Sequence, residues 1–326
     1  MIDAAPYRLA ADTDALRAAA FEGAVLCTLV GVEGGFSRSV GAQFAVRPDG
    51  STVGDMTGGC LEAALITEAQ DARATGRARG VRYGLGSPFI DIRLPCGGGV
   101  DCFIDPVPDR ALLADALSRL DGRAPVALSF ATEEGKANYR LEAAPPGCVS
   151  GFGKDRVRFT RIFHPRLRLL LLGIGPEMYA VTRYAQVHGC QVETFWPAGR
   201  QGMPPHAQPL WLGSPPDLSV DPWTAIILLF HEHEWESGIL PWALASDAFF
   251  VGAMGGARTS ERRQVELRRL GISEADMARV YGPIGLIPHV KDARTPGPLH
   301  SGASRRTLSR SDSPRREIGP STPPPE

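Results

Sequence analysis

The chain has 326 residues, which is enough for two domains that each bury their own core. Its 35 basic and 36 acidic residues give a formal net charge of -1, which excludes the global basic character typical of nucleic-acid-binding proteins. The N-terminus lacks the features of a secretory signal, and no apolar run approaches the roughly 20 residues that cross a bilayer. We therefore expect a cytoplasmic protein that acts on small molecules and proteins, without nucleic-acid or membrane contact.

The first part of the chain combines helices with hairpins. Residues 12–22 predict a helix, and an apolar strand follows. The stretch AQFAVRPDGSTVGDM predicts a hairpin, because proline and glycine in PDG favour a tight turn. LEAALITEAQDARATG has helical apolar spacing and stops at Gly76. With the strands VRYGL and DCFIDP, this mixture predicts an α+β domain over residues 1–142.

The second part has the pattern of a parallel α/β sheet. A polar stretch at 143–165 predicts a linker, after which LRLLLLGIGPEMYAVTRYAQVHGCQVETFWP predicts strand, glycine turn, helix and strand. TAIILLF, DAFFVGAMGG and RVYGPIGL add apolar strands. We therefore predict a Rossmann-like, doubly wound domain over 166–295. Residues 296–326 are rich in proline, serine and arginine and predict a disordered tail, because they cannot bury enough apolar surface.

Cys60 follows Gly58 and Gly59 directly, at the start of a predicted helix. Free N–H groups at a helix start favour an anion and lower the pKa of a thiol placed there. The two glycines allow a ligand to approach the backbone closely. A small cysteine buried under the helix is the alternative. The local features leave both interpretations open.

Cys96, in LPCGGGV, is a second cysteine that abuts glycines. If the fold brings Cys60 and Cys96 together, they could bind a soft metal centre or handle sulfur, and two unrelated packing cysteines are the alternative. Arg38, in the loop GGFSRSVG, offers a fixed positive charge for a phosphate or oxyanion, or is simply solvated. The other four cysteines are predicted in the core or in the linker: Cys27, Cys102, Cys190 and Cys148.

The turn GIGPEM departs from a dinucleotide-binding sequence. Gly173 and Gly175 match the first two glycines of G-x-G-x-x-G, but Met178 occupies the third glycine position. About 20 residues further on, where such sites have an acid that binds the ribose, the chain has Trp196. The pattern argues against a normal NAD(P) site. A glycine turn before a helix still suits one phosphate or another anion.

Two further groups lie at the ends of later strands. FHEHE places His231 and His233 two residues apart, so that in an extended chain both could hold one metal or one substrate; solvated loop histidines are the alternative. GAMGGARTSERR provides another glycine turn before a helix, at Gly255 and Gly256, with Arg258 beside it. This turn also suits a phosphate.

Taken together, these motifs resemble the XdhC/CoxI family, which are accessory proteins for the maturation of xanthine dehydrogenase and related molybdenum hydroxylases. The resemblance rests on GGFSRSVGAQFAV, DGSTVGDMTGGCLEAAL and LPCGGGVDCFIDP in the first part. In the second part it rests on LLLLGIGPE, TAIILLFHEHE and FFVGAMGGARTSERR. The combination of GGC-x-E with a downstream CGG is the specific element.

The resemblance implies a chaperone that binds molybdenum cofactor (molybdopterin) as cargo, assists its sulfuration and delivers it to a xanthine dehydrogenase-type apo-enzyme. It implies a carrier more than a turnover enzyme, with a cysteine desulfurase, cofactor biosynthesis proteins and a second copy of the chain as further partners. The alternatives are an NAD(P)-dependent oxidoreductase that uses the Rossmann-like domain, and a non-catalytic protein-interaction scaffold.

The same resemblance implies roles for individual residues. Cys60 or Cys96 would approach the cofactor molybdenum or the sulfur being exchanged, and no other metal site is implied. Glu62 of GGC-x-E would orient a pterin amine; an acid that stabilises the first helical turn is the alternative. The full set of expected cofactor-binding residues is Arg38, Gly58, Gly59, Glu62, Gly173, Gly175, Glu177, His231, His233, Gly255, Gly256 and Arg258.

Overall fold

The computed structural model describes residues 13–56, 59–88 and 97–284. The chain divides into two compact units, Met1–Arg166 and Leu167–Glu326. Gly58, Cys96 and the predicted tail at 296–326 lie outside the described residues. Within the described part, no helix has the length and apolar character needed to cross a bilayer.

The N-terminal unit contains a five-stranded antiparallel sheet in the order β3-β2-β1-β5-β4. The predicted hairpin about PDG is confirmed, because the two strands that flank it pair directly. The strands are β1 (Val25–Glu33), β2 (Gln43–Val46), β3 (Thr52–Gly54), β4 (Arg79–Gly84) and β5 (Gly99–Asp105).

Helices cover both faces of this sheet because β1 is apolar on both sides. The helices are α1 (Asp14–Glu22), α2 (Cys60–Thr75) and α3 (Arg110–Asp121). Cys27 and Leu29 of β1 pack with α2, whereas Leu26 packs with α1 and α3. As the sequence predicts, α2 stops at Gly76, which adopts the left-handed conformation that glycine tolerates best.

A second antiparallel sheet, in the order β7-β6-β9-β8, completes the N-terminal unit. Its strands are β6 (Val126–Glu133), β7 (Lys136–Ala143), β8 (Gly151–Phe152) and β9 (Phe159–Phe163). The stretch 143–165, predicted as a linker, therefore contains two paired strands and belongs to the folded unit. Although the composition of this stretch is polar, its residues Phe159 and Phe163 are almost fully buried.

The C-terminal unit is built on a six-stranded parallel sheet in the order β12-β11-β10-β13-β14-β15. The chain moves outward from β10 to β12 and then returns to the other side of β10, which confirms the predicted Rossmann-like, doubly wound fold. The strands are β10 (Arg168–Gly173), β11 (Gln191–Pro197), β12 (Gln208–Leu210), β13 (Thr224–Leu229), β14 (Phe250–Ala253) and β15 (Val280–Tyr281).

Helices lie on both faces of the parallel sheet. Met178 and Val181 of α4 pack on one face, and residues of α5, α6 and α7 form the core on the other. The helices are α4 (Pro176–Val187), α5 (Glu236–Ala245), α6 (Ala257–Arg269) and α7 (Glu274–Met277). The strands between them are buried apolar runs, as expected for a parallel sheet that is covered on both sides.

Candidate functional site

In the N-terminal unit, β1, β3 and β4 run in the same direction. β5 runs in the opposite direction and begins beside the ends of β1 and β4. Glu33 at the end of β1 lies opposite Gly99, where β5 begins, and Gly99 lies opposite Gly84, where β4 ends. β3 runs parallel to β1, because both pair antiparallel with β2. We call this the Glu33 end of the sheet. Two predicted site residues lie in described loops of this unit, Arg38 after β1 and Gly59 between β3 and α2.

The direction of α2 places Cys60 toward the same end. Near the end of α2, Arg73 donates to the carbonyl of Val46, which pairs with Val25 at the start of β1. Five residues before Arg73, the carbonyl of Glu68 accepts from Arg79, which pairs with Ile104 opposite Cys27 of β1. Helix α2 therefore runs opposite to β1, and about 20 Å of helix separates Arg73 from Cys60, roughly the length of six strand residues. The backbone of Cys60 thus lies toward the Glu33 end.

Arg38 and Glu62 both hold the segment that precedes Gly59. The Nε of Arg38 donates to the carbonyl of Met56 at 3.3 Å, and its guanidinium pairs with Asp55. The carboxylate of Glu62 accepts the backbone N–H of Met56 at 2.9 Å. The side chain of Met56 is itself fully buried. These contacts give Arg38 and Glu62 a structural role beside their predicted cofactor contacts, which stay predictions.

Gly59 is required by the backbone at the start of α2. Its φ of 79° lies in the left-handed region, so a side chain there would be strained even though no atom lies within 4 Å of the position that its Cβ would occupy. The predicted start at Cys60 is confirmed as the first residue of α2. Among the described residues, no side chain caps the N–H groups of this helix start.

The glycines after Cys96 also have a packing reason. A Cβ on Gly98 would lie 2.1 Å from the carbonyl oxygen of Glu33. A Cβ on Gly99 would lie 2.8 Å from the carbonyl oxygen of Leu85, and the N–H of Leu85 donates to the carbonyl of Gly98 at 2.9 Å. Gly98 and Gly99 therefore pass close to the backbone at the end of β1 and just after β4, where a side chain would not fit.

The buried cysteines of this unit are poorly suited to thiolate chemistry. Cys27 and Cys102 are fully buried in the core between the sheet and α2. Burial raises the pKa of Cys102 to about 12 and also raises the pKa of Cys27. Both thiols stay protonated at neutral pH, and protonated thiols are weak nucleophiles.

In the C-terminal unit, the predicted glycine turn and the histidine loop lie side by side at the carboxyl ends of the strands. Gly173 at the end of β10 pairs in register with Leu229 at the end of β13. Between these strands the direction of winding reverses, and ligands of such sheets bind at this position. A Cβ on Gly173 would lie 2.3 Å from the carbonyl oxygen of Leu229, so the close approach requires glycine.

The turn itself differs from a pyrophosphate site in three ways. Gly175, with φ 110°, precedes α4, whose first residue is Pro176 and has no N–H to donate. The carboxylate of Glu177 occupies space beside Gly175, with Oε2 3.0 Å from the position of a Cβ on that glycine. Met178, at the position of the third glycine, is buried in the core.

The loop after β11 reaches toward the loop after β13. Arg200 pairs with both carboxylate oxygens of Glu232, at 2.7 and 2.9 Å, and the hydroxyl of Tyr179 donates to the carbonyl of Gly202 at 2.8 Å. Trp196, which stands at the ribose-acid position, is buried and packs edge-on against Tyr179. The side chain at this position therefore belongs to the core.

The histidine pair does not have the predicted extended geometry. β13 ends at Leu229, and His233 begins a 3-10 turn, His233–Trp235, that leads into α5. The assumption that His231 and His233 share one face of an extended chain is wrong, because the chain turns between them. Among the described residues, no group of three or more histidine, cysteine or acidic side chains is arranged to hold a metal ion.

A buried ion pair that was not predicted from the sequence lies beside the second glycine turn, at Gly255 and Gly256. Arg263 of α6 forms two 2.8 Å bonds to the carboxylate of Glu236 at the start of α5, and donates to the carbonyl of Met254. Gly255, with φ 141°, lies against Thr259, while Arg258 is exposed beside Gly256. The sequence ARTSERR contains several arginines, and nothing in it shows which arginine is buried in an ion pair and which is solvated.

Comparison with known proteins identifies the family. The profile of the XdhC and CoxI family matches residues 18–84, and the profile of the XdhC Rossmann domain matches residues 169–296. The molybdenum cofactor insertion chaperone PaoD of Escherichia coli is 34% identical over 276 residues, which are 84% of this chain and 80% of PaoD.

A solved structure has the same fold. The crystal structure of a xanthine dehydrogenase from Bacillus halodurans is similar with a TM-score of 0.71 at 20% sequence identity, over 89% of this chain and 92% of that chain. At this identity the likeness concerns the fold. The two profiles and the 34% identical relative establish that the chain belongs to the XdhC and CoxI family.

Proposed function

We propose that this chain binds molybdenum cofactor and assists its sulfuration and insertion into a xanthine dehydrogenase-type molybdenum hydroxylase. The 34% identical relative, a molybdenum cofactor insertion chaperone, supports this activity. The structural observation that supports the proposal is that Arg38 and Glu62 both bond the backbone of Met56, just before α2 begins at Cys60.

The chemistry of this helix start suits the proposed cargo. Thiolates are soft ligands and nucleophiles, so they match a molybdenum centre that carries sulfur ligands. Cys60 begins a helix at an N-cap glycine without a side-chain cap, and the N–H groups of such a start stabilise a thiolate. In contrast, Cys27 and Cys102 are buried with raised pKa values. We therefore assign the sulfur or molybdenum contact to Cys60, with Cys96 as its partner.

The alternative of an NAD(P)-dependent oxidoreductase has less support. Pro176 lacks the first N–H of α4, Glu177 puts a carboxylate where a pyrophosphate would bind, and Trp196 replaces the ribose acid. Each of these three changes works against a dinucleotide. We therefore propose that the protein is a carrier. Its proposed partners are the apo-hydroxylase, a cysteine desulfurase, cofactor biosynthesis proteins and a second copy of itself.

The test is cofactor retention and transfer by Cys60→Ala. Protein purified without oxygen is analysed for molybdenum and pterin, and then incubated with a xanthine dehydrogenase-type apo-enzyme. We expect Cys60→Ala to keep its fold but to lose about tenfold in retention or transfer, equivalent to about 1.4 kcal/mol. Cys148→Ala, which removes an exposed thiol elsewhere in the unit, is the matched control. Unchanged reconstitution by Cys60→Ala would contradict the role of this thiol.

A further inference from the structure

Glu177 has an acceptor that the described protein does not satisfy. Its Oε2 is buried and has no hydrogen-bond partner among the described residues. The neighbouring acid Glu232 pairs with Arg200, whereas no ion pair joins Glu177 to a described residue. A buried acceptor without a donor is costly, which makes a donor supplied by a ligand favourable.

Glu177 lies in the first turn of α4, but its Oε2 accepts no N–H of the described residues. An acid in the first turn of a helix stabilises it by accepting N–H groups or by its charge near the helix start. Here the N–H of Met178 instead bonds the carbonyl of Gly175 at 3.3 Å. The carboxylate of Glu177 lies beside Gly175, which has no side chain to cover it.

His231 also lies close to Gly175. Its Nε2 is 3.8 Å from the position of a Cβ on Gly175, while Oε2 of Glu177 is 3.0 Å from that point. His231 is exposed and Gly175 is partly exposed, so these residues lie at the surface next to the buried Oε2. The pair offers an acceptor from the carboxylate and a ring nitrogen from the imidazole, two polar groups that converge on one small space.

This arrangement selects for N–H donors and against anions. A carboxylate accepts hydrogen bonds from a ring N–H and an adjacent exocyclic amine, and it repels a phosphate. An imidazole N–H donates to a ring carbonyl. Ring N–H, amine and carbonyl groups side by side form the edge of an amino-oxo-pyrimidine ring, which is the ring type of a pterin.

We propose that Glu177 and His231 form a subsite that binds the amino-oxo-pyrimidine edge of the pterin in the proposed cargo. This inference rests on the proposed function, because it names the part of the cargo that the C-terminal unit recognises. The turn thus keeps the backbone of a phosphate-binding turn while its side chains select a ring edge rich in N–H groups.

The experiment measures binding of pterin and lumazine to the full chain by equilibrium dialysis. Lumazine is the matched probe, because it has a carbonyl oxygen where pterin has the 2-amino group. We expect the wild type to prefer pterin by about tenfold, the factor that corresponds to about 1.4 kcal/mol. Glu177→Gln should abolish this preference, and His231→Ala should weaken pterin binding. Glu261→Gln, which changes an exposed acid of α6, should leave both unchanged.

Several outcomes would overturn the subsite. These are equal binding of pterin and lumazine by the wild type, a preference that persists in Glu177→Gln, or binding of inorganic pyrophosphate more tightly than pterin. Guanosine has the same ring edge in a purine, and guanosine bound as tightly as pterin would overturn the assignment to a pterin. Cofactor transfer by the wild type tests the proposed function separately, since transfer can succeed while the pterin preference is absent.

Discussion

Replacement of Arg263 by methionine should destabilise the C-terminal unit strongly. The side chains of Arg263 and Glu236 are only 3% and 5% exposed, and two 2.8 Å bonds join them. Without its partner, the carboxylate of Glu236 remains buried and uncompensated, which costs about 3–5 kcal/mol. The same helix offers a control in Arg268, whose bond to Glu274 joins side chains that are 50% and 72% exposed. Arg268→Met should cost far less, because an exposed ion pair is solvated and screened.

Urea unfolding followed by tryptophan fluorescence measures this difference. All five tryptophans of the chain lie in the C-terminal unit, so the signal reports that unit. With a slope of about 2 kcal/mol per molar urea, the expected loss lowers the midpoint by roughly 1.5–2.5 M. Arg268→Met should lower it by about 0.5 M or less.

A double variant separates the buried charge from lost packing. If Glu236→Met is added to Arg263→Met, no charge remains buried, and part of the lost stability should return. Equal midpoints for Arg263→Met and Arg268→Met would refute the reasoning, because burial of the pair would then have no energetic consequence.

Two further predictions concern the N-terminal unit. Gly98→Ala should destabilise it by about 1–3 kcal/mol more than Gly97→Ala, because a Cβ at position 98 overlaps the carbonyl of Glu33. At Gly97 the only cost is a side chain at a left-handed φ of 68°. Equal losses of stability in thermal unfolding followed by circular dichroism would contradict this. Asp105 is buried and accepts from the hydroxyl of Tyr139 at 2.7 Å, and burial raises its pKa. Because the folded state favours the protonated acid, its stabilising contribution is complete below the unfolded pKa of about 4 and is lost as pH rises through the folded pKa. The unfolding free energy of the wild type should therefore fall relative to Asp105→Asn as pH rises above about 4. Parallel curves would show that Asp105 does not titrate as expected.

Local sequence patterns determined most of the secondary structure. The PDG hairpin, the end of α2 at Gly76 and the strand-turn-helix unit after Arg166 follow from residue preferences that act within a few positions. The family could also be inferred from motifs in the sequence. The polar composition of residues 143–165 suggested a linker, but Phe159 and Phe163 of this stretch are buried in the core.

Only the tertiary structure decided which distant residues meet. Arg38 and Glu62 meet at the backbone of Met56, which does not follow from their spacing along the chain. Gly175, Glu177 and His231 converge because β10 and β13 are neighbours in space. The bend that separates His231 from His233 depends on how β13 passes into α5. The sequence by itself determined the elements and the family, whereas the candidate sites depend on long-range packing, which local residue preferences do not encode.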